Sequence, residues 1–294
     1  MSPLQNLRTS TRRLATLAAL ASAAVLGAAT ATVAPASAAP TWAPADQATL
    51  TPGVQAYTEG GQCTANFVFT DSAGGVYLGY AAHCAGTGEA TQTDGCESGS
   101  LPLGTKVDFA EGGSLVSSGT RLGGGTLAYS SWLAMQDNGE TDADTCAYND
   151  FALVKVDAAD VSKVNPTIPF WGGPVGIDTD GVGAGETVHS YGNSSLRGGL
   201  ELLSPKQGIS LGTSGNGWTH PVYTITPGVP GDSGSAFING EGQALGTLST
   251  LALAPLAGSN GVGDLASELA YAQQHSGIAG LELALGTEPF SPLL

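Results

Sequence analysis

Residues 231–235 read Gly231-Asp232-Ser233-Gly234-Ser235, and far upstream of them stands Ala81-Ala82-His83-Cys84. The first string sets a serine hydroxyl on a tight turn framed by glycines. The second sets a histidine beside a cysteine at the end of an apolar run. A free serine hydroxyl is a poor nucleophile at neutral pH and needs an adjacent base. It also needs donors for the oxyanion that develops on its target, and backbone N–H groups of a glycine-rich turn supply them. Short Gly/Ser strings are common in turns, so neither motif is specific alone. Together, in the order His then Ser, they are.

A third group should orient the histidine, and Asn149-Asp150-Phe151-Ala152-Leu153-Val154-Lys155-Val156 offers one. Asp150 opens a strand-like apolar run and so sits at a strand end, facing a cleft. Asp142, Asp144 and Asp157 are its neighbours, but Asp150 alone immediately precedes the run. The order His83, Asp150, Ser233 separates the unrelated triad folds: subtilisin-like enzymes run Asp, His, Ser, and α/β-hydrolases run Ser, acid, His. The nucleophile-elbow pattern G-x-S-x-G also fails, because Ser235 stands where it needs glycine.

On these residues the chain resembles the chymotrypsin-like (trypsin-fold) serine endopeptidases, particularly secreted bacterial members. The strings that carry the resemblance are Tyr80-Ala81-Ala82-His83-Cys84, Asn149 to Val154 and Gly231 to Ser235, with a weaker match at Thr187-Val188-His189-Ser190-Tyr191-Gly192. It spans about Gln62 to Gly277. It implies an all-β fold of two antiparallel six-stranded β-barrels with a C-terminal helix. It also implies His83 as general base, Asp150 as its orienting acid and Ser233 as nucleophile, with the N–H groups of Gly231 and Ser233 as oxyanion hole. By the same resemblance Gly228, Ser249 and Leu251 line the substrate site, and Ser249 hydrogen-bonds Asp150. No acid precedes the nucleophile where Lys/Arg-specific members place one, and Leu251 stands where many carry glycine. A preference for small or medium apolar side chains before the scissile bond follows. The expected activity is hydrolysis of protein or peptide substrates through an acyl-enzyme, by a monomer without cofactor or metal. Rival readings are a non-catalytic binding protein, or an esterase, on the same fold.

The activation string I-V-G-G of the family is missing, so Asp232 has no freed N-terminus to pair with. Six basic residues lie beyond residue 38, and Arg197, in the same half, is the partner expected for Asp232 unless hydrogen bonds alone satisfy it.

Arg8, Arg12 and Arg13, an uncharged Ala/Leu-rich stretch from Leu14 to Val33 and the string Ala36-Ser37-Ala38 read as a signal peptide over residues 1–38, so the expected location is extracellular. Its removal leaves six basic residues against 25 acidic ones, a net charge of −19. Such a surface argues against nucleic acid or stable membrane association. Four cysteines in an exported chain imply two disulfides, and three pairings are open. The resemblance implies Cys63–Cys84, and Cys96–Cys146 is adopted with it.

Apolar runs of four to eight residues between Gly, Pro, Asn and Asp signals give an all-β pattern. Thr64–Thr70 and Val76–Ala81 flank a turn at 71–75. Phe237-Ile238 and Ala244-Leu245 flank Asn239-Gly240, a strong hairpin signal. Residues 39–61 read as an N-terminal tail or short propeptide, 62–170 as the first barrel, and 171–294 as the second barrel with its helix. Residues 86–145 read as long loops with short strands. The helix is expected over Asp264 to His275, capped by Asp264, with Leu265, Leu269 and Ala272 on one face. His189, His220 and His275 read as structural.

Overall fold

A computed structural model describes residues 40–88, 92–252 and 256–292. The proposed signal peptide lies outside the described residues. Fourteen strands and three α-helices make up the described chain. The N-terminal half contains β1 (Gln55–Thr58), β2 (Gly61–Thr64), β3 (Val68–Thr70), β4 (Val76–Tyr80), β5 (Lys106–Glu111), β6 (Thr120–Ser130) and β7 (Ala152–Val156). Helices α1 (Ser131–Asn138) and α2 (Ala143–Tyr148) lie between β6 and β7. The C-terminal half contains β8 (Thr187–Tyr191), β9 (Pro205–Ser210), β10 (Thr219–Ile225), β11 (Ala236–Asn239), β12 (Ala244–Leu251) and β13 (Asn260–Asp264), then α3 (Leu265–His275) and the short β14 (Glu282–Leu283).

Strands β10-β13-β12-β11-β8-β9 form a closed antiparallel barrel. Its interior is filled by Val182, Val188, Val222, Phe237, Leu245, Leu248 and Val262, all buried. The N-terminal strands run β14-β3-β4-β7-β6-β5-β1-β2, again all antiparallel. β2 pairs with β1, and β3, a few residues on in the same segment, pairs with β4. Between them Ala65 exchanges hydrogen bonds with residues 53 and 54, while Asn66 and Phe67 bond to Gly79. The sheet therefore curls back on itself through one continuous segment. Counted that way, six strands surround the N-terminal core, and β14 is an addition at the edge of β3.

The all-β architecture with a C-terminal helix is the expected one. Three details differ from the sequence reading. The stretch 40–61, expected as a tail or propeptide, is built into the fold: Leu50 is fully buried and β1 is paired on both sides. Residues 282–283, expected with the second barrel, pair with β3 of the first half. Residues 86–145 hold the eleven-residue β6 and two helices as well as loops. β6 was obscured by Gly123-Gly124-Gly125, which reads as a breaker; a Cβ at Gly125 would collide with the Lys155 carbonyl on β7, so glycine there allows the strands to approach.

Helix α3 starts as its sequence predicts, with the Asp264 carboxylate accepting from the Ser267 amide at 2.8 Å. Such a cap satisfies one of the free N–H groups of the first turn and contributes about 1 kcal/mol. Leu265, Leu269 and Ala272 are buried. Between β11 and β12 the turn spans residues 240–243, longer than a two-residue Asn-Gly loop, with Asn239 Oδ1 accepting from Glu241 and Gln243. Disulfides join Cys63 to Cys84 and Cys96 to Cys146, closing 21 and 50 residues of chain. Loops of that size contribute roughly 3–4 kcal/mol each by restricting the unfolded chain. Among the described residues no helix is long and apolar enough to cross a membrane.

Candidate active site

His83 and Asp150 meet because β4 and β7 are antiparallel neighbours with Tyr80 opposite Ala152. Chain leaving β4 and chain entering β7 therefore lie side by side at the same sheet end. Past Tyr80 the backbone makes a short 3-10 turn over Ala82–Ala85, which carries His83. The Asp150 carbonyl accepts from the Ala82 amide at 3.2 Å. Asp150 Oδ1 accepts from the backbone N–H of His83 at 2.8 Å, and Oδ2 lies 2.6 Å from His83 Nδ1. From the other half, Ser249 Oγ donates to the same Oδ2 at 2.5 Å. The Asp150 side chain is 3 % exposed and the His83 side chain 24 %, so the imidazole is the accessible member.

The electrostatics follow from this contact. Burial acts to lower the His83 pKa, but the charge and hydrogen bond of Asp150 outweigh it and hold the pKa above the ordinary 6.5. Burial acts to raise that of Asp150, and the His83 charge, the His83 hydrogen bond and Ser249 bring it below the ordinary 3.8. The aspartate is thus the charged partner of a histidine whose Nδ1 it occupies, leaving Nε2 for chemistry.

Ser233 lies on the turn between β10 and β11, on the opposite half. Gly231 and Gly234 have φ of +93° and +88°, a region that side chains rarely adopt. A Cβ on Gly234 would also press on the Thr64 carbonyl and the Ala81 amide. The amides of Asp232, Gly234 and Ser235 are committed to the carbonyls of Val229, Leu248 and Asp232. Among the described residues, those of Gly231 and Ser233 donate to none. Two free N–H groups flanking the serine are what a developing oxyanion requires.

Residues 62–64, of which the sequence reading singled out only Cys63 for its disulfide, hold this turn from the N-terminal half. Gln62 Nε2 and Thr64 Oγ1 donate to the Gly231 carbonyl at 3.0 and 2.8 Å, and the Thr64 amide donates to that of Ser233 at 2.8 Å. Between them, Cys63 is bonded to Cys84, the residue after His83. One segment therefore grips the serine turn and is covalently joined to the histidine turn.

Asp232 is fully buried and points away from the cleft into a cage of its own chain. Arg197 Nη2 lies 2.9 Å from its Oδ2 and Lys206 Nζ 3.2 Å from the same atom. The amides of Ser194 and Val229 donate to the carboxylate at 3.0 and 3.1 Å. Arg197 is the expected partner, and Lys206, itself fully buried on β9, is an additional one. Burial lowers the pKa of Lys206, the Asp232 charge opposing it. Two internal cations fix the carboxylate behind the serine turn without a chain terminus.

His83 and Ser233 line one cleft of about 770 Å³ between the halves, together with Gly228, Gly231, Ser249, Leu251 and Trp132. The sequence-derived candidates His83, Ser233, Gly231, Gly228, Ser249 and Leu251 are thus brought to one cavity, with Asp150 directly behind the histidine. Within it Asn260 laces the walls: its Oδ1 accepts from the Gly228 amide at 2.8 Å, and its Nδ2 donates to the carbonyls of Gly228 and Thr250 at 3.2 and 3.1 Å. The other histidines lie elsewhere. His189 is buried between Trp171 and Phe290, and His220 is buried against Thr213 and Asp264.

No family model matches the chain. No curated protein matches it either. Solved structures to which it is similar include Thermobifida fusca protease A, 16 % identical over 81 % of this chain and 99 % of that one, with a TM-score of 0.49. The Nocardiopsis protease is 19 % identical over 80 % and 98 % of the two chains, with a TM-score of 0.46. Cellulomonas bogoriensis chymotrypsin is 17 % identical over 80 % and 98 %, also at 0.46.

Proposed function

We propose that this chain is a secreted serine endopeptidase with His83, Asp150 and Ser233 as its triad. The observation that carries the reading is the 2.6 Å contact of Asp150 with His83 Nδ1, on a histidine that shares a cleft with Ser233. In the proposed cycle His83 Nε2 takes the Ser233 proton as the hydroxyl attacks the peptide carbonyl, and Asp150 stabilises the imidazolium that forms. The N–H groups of Gly231 and Ser233 receive the oxyanion. His83 then gives its proton to the leaving amine, an acyl-enzyme remains on Ser233, and the same base activates the water that releases it.

The substrate side chain before the scissile bond is proposed to be small or medium and apolar. Leu248 and Leu251 line the cleft with Val229, and the side of Gly228 that a Cβ would occupy is filled by Leu248 and Asn260. Export rests on the sequence of residues 1–38 and agrees with two disulfides, which form in oxidising compartments.

Hydrolysis of a peptide library by the mature protein and by Ser233→Ala tests this reading. The expected outcome is cleavage after small or medium apolar residues, falling by about 10⁶-fold in the variant, which keeps its fold. Equal activity in the two proteins contradicts the triad. Cleavage of esters but not matched amides would identify an esterase instead, and dominant cleavage after Arg, Lys or Glu would overturn the substrate preference.

A further inference from the structure

Three consecutive residues of β12 reach the candidate site from behind. Ser249 donates to the Asp150 carboxylate. Leu248 holds the serine turn through its backbone, accepting from the Gly234 amide at 2.7 Å and donating to the Ser235 carbonyl at 3.0 Å. Thr247, pointing the other way, donates from Oγ1 to Glu268 Oε2 at 2.8 Å while its hydroxyl accepts from Asn66 Nδ2 at 3.2 Å. Glu268 lies on α3 and is fully buried. A carboxyl group there is costly unless it is used, because burial of a polar group without full hydrogen bonding is unfavourable by kilocalories. The helix already presents Leu265, Leu269 and Ala272 to the core, and an apolar residue would suit that face.

The hydrogen bond of the carboxyl runs to β12, from Thr247 Oγ1 to Oε2. Its Oε1 has no partner at regular hydrogen-bond geometry among the described residues. Gly263 on β13 makes room for it, since a Cβ there would collide with Oε1. β12 is therefore held on both sides: Ser249 bonds the Asp150 carboxylate, and Thr247, two residues before it, bonds Glu268. We propose that Glu268 is a positioning residue, which clamps Thr247 and so sets Ser249 against the His83–Asp150 pair and Leu248 against the Ser233 turn. This rests on the proposed roles of His83 and Ser233.

The charge of Glu268 matters for the same reason. Burial pushes its pKa well above the ordinary 4.5; Thr247 and the Asp150 amide pull the other way, and the charges of Asp150 and Asp264 add to the rise. Burial raises the pKa of the Tyr129 phenol on β6, and the charges of Tyr271 and Glu268 add to that rise. A neutral carboxyl can share the pocket with the ionised Asp150, whereas a second charge would repel it.

The test is a titration of the His83 imidazole by NMR, with kcat and KM measured in parallel, for wild type, Glu268→Gln, Glu268→Leu and Thr247→Val. Glu268→Gln, neutral and of the same shape, is expected to keep the wild-type His83 midpoint, with kcat within about twofold. Glu268→Leu is expected to lower the midpoint toward 6.5 and reduce kcat by about tenfold or more, with KM within about twofold. Thr247→Val is expected to move both in the same direction by less. A merely structural role would lower the melting temperature and leave the midpoint alone. Folded Glu268→Leu and Thr247→Val proteins with the wild-type midpoint and kcat overturn the proposal, as does a Glu268→Gln midpoint displaced like that of Glu268→Leu. If Glu268→Leu fails to fold, an unchanged midpoint in Thr247→Val overturns it alone. The titration needs no substrate, so a protein without hydrolytic activity would refute the catalytic reading while the clamp is still judged by His83.

Discussion

Asp150 spends both carboxylate oxygens on the site: Oδ1 on the His83 amide, and Oδ2 on the His83 ring and Ser249. That geometry orients the imidazole and selects the tautomer with its proton on Nδ1. Asp150→Asn keeps the size but offers an amide where a carboxylate is needed, and kcat should fall by about 10⁴-fold. The pH profile carries the same information. A base must be neutral to accept the Ser233 proton, and the His83 pKa is raised, so kcat/KM should fall as pH drops through a midpoint above 6.5. A midpoint below 6.5 would contradict the charge pairing. That His83, Asp150 and Ser233 come together was readable because nucleophilic chemistry demands those residue types in narrow local settings. Lys206 was not singled out, because Pro205-Lys206-Gln207-Gly208-Ile209-Ser210 has the pattern of any half-exposed strand. Glu268 was hidden for a similar reason: in a helical sequence a glutamate reads as solvated.

Among the elements, the Gly61–Thr70 segment has the most to do. It closes the N-terminal sheet, pairs with β1 and β4, and carries Gln62, Cys63 and Thr64 to the serine turn. Thr64→Val removes the hydroxyl that donates to Gly231 and accepts from the Asn193 amide, while keeping the shape of a β-branched strand residue. The serine turn should loosen, with kcat reduced by about tenfold and KM little changed in steady-state assays. Unaltered kcat would show that the turn does not depend on the Thr64 hydroxyl. The hairpin from β3 to β4 and helix α3 were legible from turn signals, periodicity and a capping aspartate. The bend between β2 and β3 was not, because the sheet turns there without a glycine-proline signal and the pairing partners lie far apart in sequence. Nor were α1 and α2, short helices in a stretch whose Gly, Ser and Asp content resembles a loop.

At the scale of the molecule, the site exists only because two halves are held face to face. The N-terminal half supplies His83 and Asp150, and the C-terminal half supplies Ser233 and Ser249. The joint is polar and specific: Ser249 to Asp150, Thr64 and Gln62 to Gly231, Asn66 to Thr247. The apolar pattern announced an all-β chain, and the resemblance implied its two halves and the Ser249–Asp150 bond; the other cross-links depend on register rather than residue type and were not legible. Of the six basic residues beyond residue 38, two, Arg197 and Lys206, are placed at the buried Asp232. The most direct test of the assembled triad is mass spectrometry after exposure to an organophosphonate fluoride. A single adduct on the peptide that contains Ser233 is predicted for the mature protein, with labelling lost in Ser233→Ala and slowed by orders of magnitude in His83→Ala. Absence of that adduct in the folded mature protein, or labelling at Ser233 that proceeds as fast without the histidine, would contradict the account.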